Sequence, residues 1–153
     1  MIAVDAFLAD SVSAADGKLH AQGAGWNRIY AAAIPTVHGR IGLALILRIP
    51  AASAADPHAL EVRLQGPDGA PVRLGQATED PASAFDRIQG NLQLDPPPPG
   101  SPVQEEEVFP VALNFDGLPL ERTGTYRFVV AIDGADVREI AFGVAQAASN
   151  TTS

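Results

Sequence analysis

Residues 41–49 read IGLALILRI. Ile41, Leu43, Leu45, Leu47 and Ile49 recur with period two, so five large apolar side chains share one face of an extended strand. Gly42, Ala44 and Arg48 fall on the other face. The same alternation spreads outward along the chain. Leu60, Val62 and Leu64 interleave with Glu61, Arg63 and Gln65, which reads as a strand with one wet face. Val72 and Leu74 follow a turn at Pro67-Asp68-Gly69. Ile88, Leu92 and Leu94 alternate with Gln89, Asn91 and Gln93. Phe109, Val111, Leu113 and Phe115 make another apolar row, and Tyr126, Phe128, Val130 and Ile132 one more. Helical spacing is confined to two short stretches, Ser53 to His58 and a turn around Pro81 to Phe85.

Turn chemistry sets two registers. Asp16-Gly17 predicts a two-residue hairpin loop, because both positions need positive φ. Opposed residues then sum to 33, placing Val12 against Ala21, Phe7 against Trp26 and Asp5 against Arg28. Glycines at 23 and 25 are the place where a bulge would break this register. At Asp133-Gly134 an even loop would oppose Phe128 to Glu139. A three-residue loop, Asp133-Gly134-Ala135, instead opposes Phe128 to Ile140 and Tyr126 to Phe142. A one-residue slip flips every side chain, so the odd loop is expected.

Residues 95–107, DPPPPGSPVQEEE, form a low-complexity connection. Pro96, Pro97, Pro98 and Pro99 favour an extended polyproline II segment and cannot donate to a ladder. Glu105, Glu106 and Glu107 follow. These features predict an all-β, single-domain antiparallel β-sandwich, Greek-key and immunoglobulin-like, with a proline-rich connecting loop. Its eight or nine short strands span residues 1–144, and a frayed tail covers 145–153. The alternative architecture is a partly open barrel. Leu120 to Tyr126, LERTGTY, has the form of a tyrosine corner, with Phe128 where antibody domains place a cysteine. The expected core contains Leu43, Leu45, Leu47, Val62, Leu64, Val111, Leu113, Tyr126, Phe128, Val130 and Phe142.

The chain has 153 residues, no cysteine and a net charge of −8. That length suits one core. Without cysteine there is no disulfide framework, thiolate chemistry or sulfur-ligated metal. One lysine, Lys18, and a pI near 4.6 exclude the clustered base that nucleic acid requires. The opening MIAVDAFLAD has no basic residue and is not a secretory signal. No apolar run approaches the ~20 residues of a membrane span. A cytoplasmic protein is the expectation, with neither nucleic acid nor membrane as partner.

Two blocks carry a resemblance. DAFLADSVSAADGKLHAQGAGWNRI, residues 5–29, has an acidic start, a hairpin glycine and glycines before a tryptophan. VALNFDGLPLERTGTYRFVVAIDG, residues 111–134, is closed by FGV at 142–144. Together they resemble a family of small uncharacterised bacterial β-sandwich proteins. The resemblance implies a compact sandwich and supplies no catalytic residues.

Residues able to carry chemistry are few. His20, His38 and His58 have no metal-ligand spacing, and ordinary surface use accounts for them. Asp133 and Asp136 flank a glycine turn, and Glu105 to Glu107 form a charge run. Neither matches a calcium loop, which leaves a hairpin turn and a solvated run. There is no nucleophile elbow and no Gly-rich phosphate loop, and nothing singles out a carboxylate pair. No cofactor is expected. Phe7, Trp26 and Tyr30 share a face on the hairpin alternation and would form an aromatic platform for a sugar or partner, against the plainer reading of Trp26 as core. The expected function is a non-enzymatic protein-interaction or structural module. Its contacts are an unidentified protein or a second copy, met through a sheet edge or through Pro96 to Pro99 and Glu105 to Glu107. A small-ligand or carbohydrate-binding sandwich using Phe7, Trp26 and Tyr30 is the alternative, and a hydrolase without a recognisable motif the third.

Overall fold

The computed structural model describes residues 1–76 and 84–148. The strands are β1 (Ala3–Ala9), β2 (Ser11–Ala15), β3 (Lys18–Gln22), β4 (Arg28–Ala31), β5 (Thr36–Pro50), β6 (His58–Gln65) and β7 (Pro71–Val72). They continue as β8 (Gly75–Gln76), β9 (Ala84–Phe85), β10 (Arg87–Leu92), β11 (Glu106–Leu120), β12 (Gly124–Ile132) and β13 (Ala135–Gln146). One sheet has the order β1-β5-β11 and the other β10-β6-β12-β13-β4, with β7 beside β6. The connections from β5 to β6, β10 to β11 and β11 to β12 pass between the sheets. This is the strand distribution of an immunoglobulin-like sandwich. Not every strand is short, since β5 and β11 run 15 residues each. One pairing, β4 with β13, is parallel.

The alternation in 41–49 does what it predicts. Ile41, Leu43, Leu45, Leu47 and Ile49 are fully buried between the sheets, together with Val62, Leu64, Phe115, Phe128, Val130 and Phe142. Val111 and Leu113 are only half-buried, because they sit on β11, at the border of its sheet. The aromatic rings of Phe115 and Phe128 stack at 5.3 Å, and those of Tyr126 and Phe142 at 5.4 Å. The Tyr126 hydroxyl donates to the Arg122 carbonyl at 2.7 Å, which completes the tyrosine corner.

Both hairpin turns use Asp-Gly with positive φ at each residue, Asp16 and Gly17, Asp133 and Gly134. The first keeps the expected register from Ser11–Gln22 to Ala15–Lys18 and no further. Phe7 pairs with Ala44 rather than Trp26, and Asp5 with Ile46 rather than Arg28. The break lies at Asp10, whose N–H is shared by the carbonyls of Gln22 and Gly23. Gly23 has φ +66, and its missing Cβ leaves room for the Asp10 side chain. β1 therefore crosses to β5, where seven residues pair in register. The second hairpin reaches the expected pairs, Phe128 with Ile140 and Tyr126 with Phe142, by a different device. Its loop has two residues, and a bulge between Val130/Ala131 and the facing strand supplies the shift.

β13 runs two residues into the tail expected from Ala145, and residues 149–153 of that tail lie outside the described residues. Gly143–Gln146 pair with Arg28–Ala31, so Ala145 and Gln146 belong to β13. Ser53 to His58 holds only the end of a 3₁₀ turn, Ala51–Ser53, and the first residue of β6. Of the turn expected around Pro81 to Phe85, Pro81 to Ser83 lie outside the described residues, and Ala84–Phe85 are strand β9.

The outer face of the β1-β5-β11 sheet is built from small residues. Ala9, Ala44 and Ala112 lie there, and Val12 of the β2–β3 hairpin packs onto them. A Cβ on Gly42 would stand 3.1–3.2 Å from Val12 and the Ser11 carbonyl carbon, so the hairpin lies closely on this glycine and would have to shift for a larger residue. Asn114 fastens it: its Oδ1 accepts from Val12 N–H at 3.0 Å and its Nδ2 donates to Val12 O at 2.8 Å.

Leu45→Ala should lower the unfolding free energy by about 2–5 kcal/mol and Phe128→Ala by about 3–5 kcal/mol. Arg63→Ala, which loses a partly exposed pair with Asp136, should cost at most about 1 kcal/mol. Urea denaturation at fixed pH checks the order.

Candidate interaction surface and polar cleft

The side chains expected to make an aromatic platform are separated. Phe7 points to the outer face of its sheet and packs with Val12 and Ala44. Trp26 is half-buried against the main core, and its Nε1–H finds no acceptor among the described residues. Tyr30 is 65% exposed, and its hydroxyl accepts from Arg28 at 3.3 Å. The hairpin register that would have aligned them ends at Asp10, which is why they part.

Pro96 to Pro99 are all exposed. The run does not stay straight: Ser101 N–H donates to Pro98 O at 3.1 Å, with Gly100 at φ +87. Pro99 at the second position and glycine at the third are the signature of a type II turn. The glutamates are not a free solvated run either. Glu105 O accepts from Ala51 N–H at 3.0 Å, while Glu106 and Glu107 begin β11 opposite Pro50 and Ile49.

Register places Phe7 and the glutamates on one sheet. Successive outer-face rows are Phe7–Ala44–Ala112, Asp5–Ile46–Pro110 and Ala3–Arg48–Val108, with Glu106 beyond. The hairpin covers the first of these rows and leaves the next two bare. Val108 is 57% exposed, and Ile46 and Pro110 are half-exposed beside it. Arg48 sits between two carboxylates, with Nε 3.1 Å from Asp5 and Nη1 3.9 Å from Glu106. An apolar strip is thus bordered by a charged row.

A cleft of about 630 Å³ opens at the tyrosine-corner end. Asp68, Arg73, Asp116, Glu121, Arg122 and Tyr126 supply its polar wall. Arg40 grips Asp116 through two bonds of 2.6 and 3.0 Å and holds its carboxyl below the usual range. Arg122 lies 3.5 Å from Asp68. No histidine, serine, threonine or lysine is among the described lining residues, and the carboxylates of Asp68 and Asp116 are each paired with an arginine. Among the described residues no cluster of metal-ligating side chains forms.

His58 departs from the sequence reading. It is 8% exposed, with Nδ1 2.8 Å from Asp133 Oδ2 and Nε2 2.8 Å from the Ser53 carbonyl. Both partners accept, so the arrangement is fully bonded only while both ring nitrogens carry protons. The Asp133 carboxylate, then the Ser53 carbonyl, raise the His58 pKa, and His58 and the Ala59 N–H lower that of Asp133. Asp133 Oδ1 also accepts from Ala59 N–H at 2.8 Å. The clasp joins the β5–β6 connection, the start of β6 and the β12–β13 turn. His58 has the parity of Leu60, Val62 and Leu64, and that alternation is the sequence signal for its inward position.

Comparison with known proteins extends over nearly the whole chain. The family of unknown function DUF6941 matches residues 4–145. The chain belongs to DUF6941. This bears out the resemblance to a family of small bacterial sandwich proteins without an assigned activity. This DUF6941 chain is also 35% identical over 92 residues to the C/D polypeptide of NADH-quinone oxidoreductase from Rhodopseudomonas palustris strain TIE-1. The same polypeptide of strain HaA2 is 34% identical over 92 residues. Each alignment takes in 54% of this chain and only 16% of the relative's length. An immunoglobulin-like protein of Pseudomonas aeruginosa aligns over 94% of this chain and 96% of its own, with TM-score 0.39 and 18% identity. No helix among the described residues is long and apolar enough to cross a membrane.

The clasp fixes a pH dependence. A raised histidine pKa contributes stability that is complete below the ordinary value of about 6.5 and lost as pH climbs through the folded value. The lowered Asp133 pKa contributes above about 3.9 and is lost as pH falls through its own folded value. Both are complete between about pH 4 and 6.5. The urea midpoint of the wild type should therefore fall relative to that of His58→Gln as pH rises from 6 to 9. A His58 ring that titrates below 6.5 by NMR would contradict this.

Proposed function

We propose that the protein is a non-enzymatic interaction module that docks a protein partner on the bare half of the β1-β5-β11 outer face. The observation that carries this reading is the strip of Ile46, Val108 and Pro110, with Val108 57% exposed near the start of β11 and bordered by Asp5, Arg48 and Glu106. An apolar centre with a charged rim is the anatomy of a recognition surface. With Glu105 to Glu107 at its border and a net charge of −8, the surface favours a partner with a basic rim. The exposed turn at Pro98 to Ser101 stands in the connection that leads into β11. A cysteine-free chain suits the cytoplasm, where we place the encounter.

Affinity capture from the native cell, with the full chain as bait, tests the reading. Val108→Asp should reduce retention of the captured partner at least about tenfold, as loss of a central apolar contact does. Its urea midpoint should stay close to that of the wild type, since Val108 is exposed. Equal retention by both baits, or no specific retention by either, would overturn the proposal.

A further inference from the structure

Five strands border the two sheets, the two-residue β7 with its Pro71 lying beside β6 on the β10 side, and they are not equally open to another strand. β11 carries Pro110 and Pro119, and prolines guard an edge by removing donors. β1 comes close to β13 of the other sheet. β4 is four residues long and ends the second sheet alongside β13. β10, Arg87–Leu92, contains neither proline nor lysine, and among the described residues β6 is its one sheet neighbour.

We infer that β10 is a self-association edge: two copies pair β10 with β10, antiparallel, about a two-fold axis at Gly90. In a two-fold contact residue i meets j and j meets i. Opposed residues in an antiparallel pair share a face, so their numbers must sum to an even value. A sum of 180 sets Ile88 against Leu92 of the second copy, Gln89 against Asn91, and Gly90 against itself. Arg87 then meets Gln93. The apolar residues extend the core side of the sheet, and two amides that can exchange hydrogen bonds line the wet side. A sum of 178 opposes Leu92 to Asp86 and Ile88 to glycine. A sum of 182 moves the partner of Ile88 to Leu94, which lies beyond the strand and donates its N–H to Ala54 O. The register centred on Gly90 is the self-complementary one.

Charge selects the same edge. Two copies each carrying −8 repel, so a self-contact must lie where acid is scarce. Residues 87–94, RIQGNLQL, hold one charge, and Arg87 is paired within its own chain to Glu61 at 3.6 Å. At Gly90 a Cβ would meet nothing within 4 Å, so the substitutions used below fit the free chain. This contact is separate from the surface proposed above and does not depend on it.

The absence of cysteine makes the test clean. Light scattering should give twice 15.9 kDa for the wild type at high concentration. Gly90→Cys should oxidise to a disulfide dimer, since opposed Cα atoms about 4.5–5.5 Å apart fit the bond. Gln89→Cys and Asn91→Cys, mixed, should cross-link to each other at least about tenfold faster than Ser101→Cys does with itself on the proline turn. Gly90→Asp should leave a monomer with an unchanged urea midpoint and full retention of any partner bound at Val108. A 15.9 kDa mass at every concentration up to about 1 mM, or equal cross-linking of Ser101→Cys, would overturn the inference.

Discussion

The ladder between β5 and β11 is the constraint on which the remaining structure depends. It aligns Thr36–Pro50 with Glu106–Leu120 in one uninterrupted register. That register decides which side chains of both strands enter the sandwich and which stand outside. On the inside it sets Ile41 to Ile49 against the second sheet, where Phe128 and Phe142 complete the packing. On the outside it lines up Ala44 with Ala112, and Gly42 with Asn114. The hairpin can lie down there only because these residues are small, and Asn114 is long enough to reach the backbone of Val12. The edge of the covered area then defines the bare strip at Ile46 and Val108.

Sequence alternation makes the fold legible because each face of a sandwich strand meets a different environment. It is sufficient for the inner rows of β5, β6 and β12 and for the tyrosine corner, whose residues are local to one turn. It is insufficient wherever partner choice is non-local. The Asp16-Gly17 turn dictates pairs near itself, but nothing in residues 3–9 states that β5 will outcompete the hairpin beyond Asp10. At Asp133-Gly134 the favoured apolar pairs are the right criterion, while the means, a tight loop plus a bulge, has no separate sequence mark. Val111 and Leu113 alternate as well as Leu43 and Leu45 do. Their partial exposure comes from lying on a border strand, which is a property of sheet order.

The surface features follow the same division. Phe7 and Trp26 are neighbours only in a register that ends before it reaches them, and in the fold Phe7 packs on the outer-face cluster while Trp26 packs against the main core. Glu106 and Glu107 resemble a charge run in sequence because three acids in a row seldom pair. Two of them are strand residues, and Arg48 lies within reach of one. His58 is legible in parity but not in chemistry. Its partners, the Asp133 carboxylate and the Ser53 carbonyl, meet only after three separate segments converge. Charge is arranged to suit this scaffold: arginines answer carboxylates across strands, as Arg63 does Asp136 and Arg40 does Asp116, and a lone lysine leaves proline to protect the β11 edge.

The β5–β11 ladder also shapes how the chain comes to its fold. Its pairs lie between 56 residues apart, Pro50 to Glu106, and 84 apart, Thr36 to Leu120. Closing loops of that size delays the reward of pairing, which places such topologies at the slow, millisecond-to-second end of single-domain folding. During synthesis the delay is longer still. At about 5–20 residues per second, β5 is made on the order of ten seconds before β11. Throughout that interval IGLALILRI has only β1 to pair with in its own sheet, and of the second sheet's central strands only β6 is made, without β12 and β13. The β2–β3 hairpin, which closes locally, is available to shield the small-residue side of β5 but not the apolar one. A nascent chain of this protein is therefore most exposed to misassociation at the segment that later becomes its most buried.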